Sequence, residues 1–89
     1  MKTLFAANSF QKDLKLVVKR GKAAKKLQAV LDLLLMDKPL PSRCRPHRLS
    51  GSFAKLWECH IEPDWLLIYD ITETEIRLYR TGTHADLFG

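Results

Sequence analysis

Three histidines, His47, His60 and His84, and one aspartate, Asp64, are the side chains in this sequence best suited to moving protons near neutral pH. His47 follows a proline-rich stretch. His60 lies in an alternating segment, with Asp64 four residues later. His84 follows Thr81-Gly82-Thr83. Taken singly, any of these imidazoles is an ordinary hydrogen-bonded histidine, and three in 89 residues is no enrichment. Their spacing does not favour a metal. There is no C-x-x-C, H-x-x-x-H or H-E-x-x-H, and Cys59 and His60 are neighbours on a strand, so they point to opposite faces. Cys59 shares its face with Trp57 and Ile61, which suits inert packing rather than nucleophilic chemistry. No glycine loop of phosphate- or dinucleotide-binding type is present. We therefore expect no metal and no cofactor, and two free thiols at Cys44 and Cys59.

The elements that must position these groups follow from periodicity. Residues 3–7 are short and apolar and fit an opening strand. Asn8 or Ser9 offers a helix cap, and Phe10, Leu14 and Val17 then recur on one helical face up to Gly21. A second helix is expected from about Lys22 to Met36, with Ala23, Leu27, Val30, Leu31 and Leu34 inward. Lys22, Lys25 and Lys26 in its first turn oppose the helix dipole, a cost that hints at another use for them. Prolines 39, 41 and 46 make residues 37–46 a loop. Leu56–Glu62 alternates, Trp65–Ile71 is nearly continuous apolar, and Glu75–Arg80 alternates again, with turns at Pro63-Asp64 and Thr72–Thr74. This is one α+β domain over residues 1–89: an N-terminal strand and a helical hairpin packed on one face of a small, mostly antiparallel sheet. The other face is left to carry a site.

Composition narrows the setting. No apolar stretch is long enough to cross a bilayer. The signal-like start at Met1–Ala7 is broken by Asn8, Ser9, Gln11, Lys12 and Asp13, so a cytoplasmic protein is expected. Residues 1–48 carry twelve Lys or Arg against three Asp, a net of +9, whereas residues 49–89 net −4. Such a basic half suits a polyanion, nucleic acid or acidic protein, although lysine runs are also ordinary solvated surface. Trp65 is either core or a base-stacking surface, and Phe88 either staples the tail or stacks on a base.

Two long segments carry a resemblance. Trp57–Tyr69, reading WECHIEPDWLLIY, and Arg80–Phe88, reading RTGTHADLF, are similar to the YafQ branch of the RelE/ParE toxin superfamily. The His47–Phe53 stretch and Ser9–Asp13 resemble the same branch. The resemblance implies the RelE-like fold, a helical hairpin on a small sheet. It also implies the toxin of a type II toxin–antitoxin system that cleaves messenger RNA in the ribosomal A site. It further implies an antitoxin partner, acidic and dimeric, besides the small ribosomal subunit and mRNA. By position it makes His47, His60, Asp64, His84 and Phe88 the functional set, with Trp65 beside them.

Chemistry fits that set. Metal-free RNA cleavage needs a base for the ribose 2′-OH, an acid for the departing 5′-oxygen and donors for the phosphorane charge. His84 is expected as the acid and His47 or His60 as the base, with Asp64 orienting a histidine or sharing in proton transfer. Arg80 and Arg48 are phosphate contacts or surface ion pairs. The competing reading is a binding module of the same fold, directed at gyrase or holding only an antitoxin. Three histidines and Asp64 on one chain disfavour it.

Overall fold

The computed structural model describes residues 2–51 and 56–89. Phe53, at the end of the His47–Phe53 stretch, lies outside the described residues. The elements are β1 (Thr3–Ala6), α1 (Asn8–Lys19), α2 (Ala24–Leu35), a 3-10 turn (Ser42–Cys44), β2 (His47–Arg48), β3 (Trp57–Glu62), β4 (Trp65–Ile71), β5 (Glu75–Gly82) and α3 (His84–Phe88). The sheet order is β1-β5-β4-β3-β2. Only β1 is parallel to its neighbour, pairing Thr3 with Glu75 through Ala6 with Leu78. The other pairings are antiparallel, as the short turns between the later strands require.

Burial explains the order. Trp65 through Tyr69 are all buried, so β4 must lie inside the sheet with both faces covered. One face packs Trp65, Leu67 and Tyr69, with Cys59, Ile76 and Leu78, against Phe10 and Val17 of α1 and Leu27, Val30, Leu31 and Leu34 of α2. The other holds a smaller cluster of Leu66, Ile68 and Leu87, flanked by Leu49, Leu56 and Tyr79. Cys44 and Cys59 are buried free thiols. Desolvation, the largest influence, pushes the Cys59 thiol up to about 12, so it stays protonated and unreactive.

Several expectations change in detail. Neither Asn8 nor Ser9 caps α1. Ala7 occupies the cap position, and the Ser9 hydroxyl donates to the Tyr79 carbonyl at 2.7 Å, tying the helix to β5 instead. Helix α2 starts at Ala24, which leaves Lys22 and Ala23 outside it. The Lys22 ammonium reaches Glu62 at 2.7 Å. The proline loop contains a 3-10 turn and leads into the two-residue strand β2. Because β2 pairs only with Trp57 and Glu58, no strand among the described residues lies outside β3 from Cys59 to Glu62. Strand β5 continues to Gly82, and residues 84–88 form α3 rather than an extended tail.

Both long helices end in the same motif. After α1, Gly21 N–H bonds the Val18 carbonyl at 3.0 Å and Lys22 N–H the Val17 carbonyl at 3.2 Å. After α2, Asp37 N–H bonds Leu34 at 3.2 Å and Lys38 N–H bonds Leu33 at 2.9 Å. The pivot residue is left-handed in each case, Gly21 at φ +93° and Asp37 at φ +56°. A side chain at 21 would meet nothing within 4 Å, so its cost is backbone strain alone. Gly21→Ala should therefore lower stability by about 1–2 kcal/mol. Asp37→Gly should raise it by about 0.5–1 kcal/mol, since the exposed Lys2–Asp37 pair at 3.3 Å adds little. Thermal melts of the two variants should move in opposite directions.

Candidate active site

All three histidines lie on or beside the sheet face away from the long helices. His47 comes from β2, His60 from β3 and His84 from the first position of α3. Register sets the first two: His47 pairs with Glu58, and the period of two puts Glu58 and His60 on one face of β3. Glu58 is only 5% exposed. Its Oε1 stands 3.3 Å from His47 Nε2 and 3.7 Å from His60 Nε2. One buried carboxylate oxygen is thus the neighbour of both Nε2 atoms.

Backbone carbonyls and a carboxylate fix the other ring nitrogens. His47 Nδ1 is 2.8 Å from the Arg45 carbonyl and His60 Nδ1 is 3.2 Å from the Pro63 carbonyl. A carbonyl oxygen only accepts, so each Nδ1 carries the proton. Arg45 reaches its position through a left-handed backbone, φ +47°. His84 Nδ1 donates to Asp64 Oδ1 at 2.6 Å, and the same oxygen accepts the His84 backbone N–H at 2.9 Å. The backbone N–H first and the ring second hold the Asp64 carboxyl below the usual carboxylate range. All three rings are thus held with Nδ1 protonated, which leaves Nε2 as the working atom. The His60 and His84 rings face each other at 5.8 Å between centroids, inclined by 54°.

Helix α3 sets the position of His84, and a capping box anchors it. Asp86 N–H bonds Thr83 Oγ1 at 3.1 Å, and Thr83 N–H bonds Asp86 Oδ2 at 3.0 Å. Arg20, at the end of α1, grips the same carboxylate at 2.6 and 3.1 Å and holds the Asp86 carboxyl well below its ordinary range. Gly82 is required beneath the box, because a Cβ there would sit 2.9 Å from Asp86 Oδ2. Phe88 follows His84 by four residues, hence on the same side of α3, and is 47% exposed.

His47, His60, His84 and Asp64 are therefore brought together, with Phe88 beside them. Two other expected contacts are not. Trp65 is 1% exposed, and its indole N–H donates to Thr81 Oγ1 at 2.9 Å; a ring in the core offers no face to a base. Arg80 is committed to Asp13 of α1 at 2.6 and 3.3 Å, so the ion-pair alternative is the one observed. Arg48 joins them: it follows His47 on β2 and so turns to the opposite face, where its guanidinium lies 5.1 Å from the Trp57 ring centroid. Sequence reasoning missed Glu58, although the alternation that placed His60 on the polar face placed Glu58 there too. It also missed α3, although Thr83-x-x-Asp86 spells a capping box.

A helical hairpin on one face of a five-stranded sheet, with a histidine–carboxylate cluster toward the other, defines a toxin of the RelE-like fold. The chain belongs to the family described as bacterial toxin of type II toxin–antitoxin system, YafQ, which it matches over residues 2–89. It is 44% identical over 84 residues to the mRNA interferase toxin YafQ of Escherichia coli K12, covering 93% of this chain and 91% of that one. The toxin in the E. coli DinJ–YafQ toxin–antitoxin complex superposes with a TM-score of 0.91 at 42% identity, covering 99% of this chain and 98% of that one. A metal-bound toxin from Helicobacter pylori superposes with a TM-score of 0.92 at 39% identity, covering 99% of this chain and 100% of that one. In the present protein no group of three or more His, Cys, Asp or Glu among the described residues is arranged to hold a metal ion.

The depressed Asp64 and Asp86 carboxyls give α3 a pH dependence of definite sign. Their ionised forms are the ones bonded, so their contribution is complete above the ordinary Asp range, near pH 4, and is lost as pH falls through the lowered values. The amide of His84 should be equally protected from exchange at pH 5 and pH 8 and should lose protection below about pH 4. In Asp64→Ala the His84 ring should revert toward a mixture of tautomers. Long-range 1H–15N spectra of the imidazole will read this directly.

Proposed function

We propose that the chain acts as a single-domain toxin of a type II toxin–antitoxin system. Its activity is that of an mRNA interferase, an endoribonuclease that cleaves messenger RNA in the ribosomal A site. The observation that carries this reading is the pair of facing imidazoles, His60 and His84, 5.8 Å apart, with Asp64 bonded to the second and Glu58 near the first. Two tautomer-fixed Nε2 atoms on either side of a gap are what an internal phosphoryl transfer needs.

The steps follow from the geometry. His60 Nε2 accepts the proton of the ribose 2′-OH, and Glu58 with His47 behind it stabilises the imidazolium that forms. The 2′-oxygen attacks phosphorus. The P–O5′ bond breaks, and His84 Nε2, entering as imidazolium, delivers its proton to the leaving 5′-oxygen. Asp64 keeps the ring aimed. Phe88 stacks a base next to the scissile link. The Lys and Arg of the basic half hold ribosomal RNA. An acidic, dimeric antitoxin neutralises the toxin in the cytoplasm; the DinJ–YafQ complex of the relative supports the antitoxin partner.

His84→Gln keeps a polar side chain of similar reach and removes the acid. Single-turnover cleavage on programmed ribosomes should slow by about 10²–10⁴-fold with ribosome binding nearly intact. The parent's upstream fragment should end in a 2′,3′-cyclic phosphate and the downstream one in a 5′-hydroxyl. An upstream 3′-hydroxyl would mean that water attacked, and the scheme would be wrong. Since every step uses the protein's own groups, cleavage should persist in chelator that leaves the ribosomes enough magnesium; its loss would overturn the metal-free mechanism.

A further inference from the structure

The catalytic cluster opens into a groove that continues past it. Its first section is lined by Arg45, Pro46, His47 and His60. A second shares Arg45 and His60 with the first and adds Arg43 and Pro63. A third shares Arg43 and Pro63 with the second and runs on to Lys25 of α2, with a volume of about 450 Å³. The groove therefore follows the outer side of β3 where no strand among the described residues pairs, bounded by the proline loop and α2.

Its charges are unevenly committed. Glu62 is the one carboxylate in its lining, and Lys22 and Lys26 neutralise it at 2.7 and 2.8 Å. Arg43, Arg45 and Lys25 are exposed and have no ion-pair partner among the described residues. The backbone holds Arg45 in place, left-handed at φ +47° with its carbonyl on the His47 ring. Between these cations Pro41, Ile61 and Pro63 give apolar walls.

We propose that this groove is a track for single-stranded RNA: the message leaving the scissile phosphate runs from His60 past Arg45 and Arg43 to Lys25, its phosphates on those three cations. Continuity with the imidazoles favours RNA over an acidic peptide, because a strand seated between His60 and His84 is covalently bound to continue along one flank. Guanidinium groups grip phosphate oxygens bidentately, and apolar walls accept sugars and base faces. The proposal rests on the ribonuclease reading for its direction but is tested by binding alone.

The probe is a fluorescein-labelled RNA made uncleavable by 2′-O-methyl groups, titrated by anisotropy against the full chain at several salt concentrations. Two phosphate contacts disappear in Arg43→Gln/Arg45→Asn, asparagine being chosen because it tolerates the left-handed backbone. Affinity at low salt should fall about ten-fold or more, and the slope of log K against log salt should decrease by roughly 1.4. Lengthening the RNA on one side of the target should strengthen binding to the parent and not to the variant. Lys25→Gln, on the exposed surface of α2, should lower the slope by roughly 0.7, and it decides the matter should the double variant fail to fold. Unchanged slopes overturn the proposal. So does a variant that keeps parental RNA binding and loses affinity for the antitoxin, which would make the groove a peptide site. A parent that binds with the expected slopes yet cleaves nothing keeps the track and removes the ribonuclease reading. Normal cleavage with unchanged slopes does the reverse.

Discussion

Strand β4 is apolar on both faces, and this one constraint organises the molecule. Trp65, Leu67 and Tyr69 need a cover on one side, and Leu66 and Ile68 need one on the other. The helical hairpin meets the first need with two amphipathic helices. Among the described residues, Leu87 of the short α3 serves the second, together with Leu49, Leu56 and Tyr79. His60 and Glu58 stand on that same face of β3, and α3 places His84 beside them. The same helix thus buries Leu87 and presents His84, which couples packing to the site.

Ion pairs stitch the basic half to the acidic half. Asp13 holds Arg80, Arg20 holds Asp86, and Lys22 and Lys26 together hold Glu62. Each joins the helical layer to the sheet or to its C-terminal extension. None of these side chains is fully buried, and solvent screening leaves each pair a small contribution, so their main effect is to fix orientation. They also sort the cations. Those engaged internally are unavailable to a polyanion, and of the cations lining the groove Lys25, Arg43 and Arg45 remain.

The parts legible in the sequence were those carried by period and by hydrophobic runs. Phe10, Leu14 and Val17 marked the inner face of α1, and Leu27, Val30, Leu31 and Leu34 that of α2. The unbroken apolar run of Trp65–Tyr69 marked the central strand. What stayed hidden depended on partners distant in the chain. Ser9 looked like a cap, and only the arrival of β5 gives its hydroxyl a better acceptor in Tyr79. Trp65 looked usable by a base until Thr81, sixteen residues on, is seen to take its N–H. Arg80 looked free for phosphate because nothing local reveals Asp13. Glu58 was the opposite case. Its face was predictable, but its importance arises from His47 arriving across β2, a pairing of two residues that no period announces.

The parallel pairing of β1 with β5 joins Thr3–Ala6 to Glu75–Leu78, with almost the whole chain between them. Contacts of that span close late, because the loop entropy must be overcome before they contribute. During synthesis the first strand therefore waits, exposed at its edges, until the seventies have been made. The His84–Asp64 pair and the Arg20–Asp86 grip wait longer still. Until α3 has been joined, the chain carries no assembled cluster. The order in which residues are joined thus separates the making of this protein from the moment at which its histidines first meet.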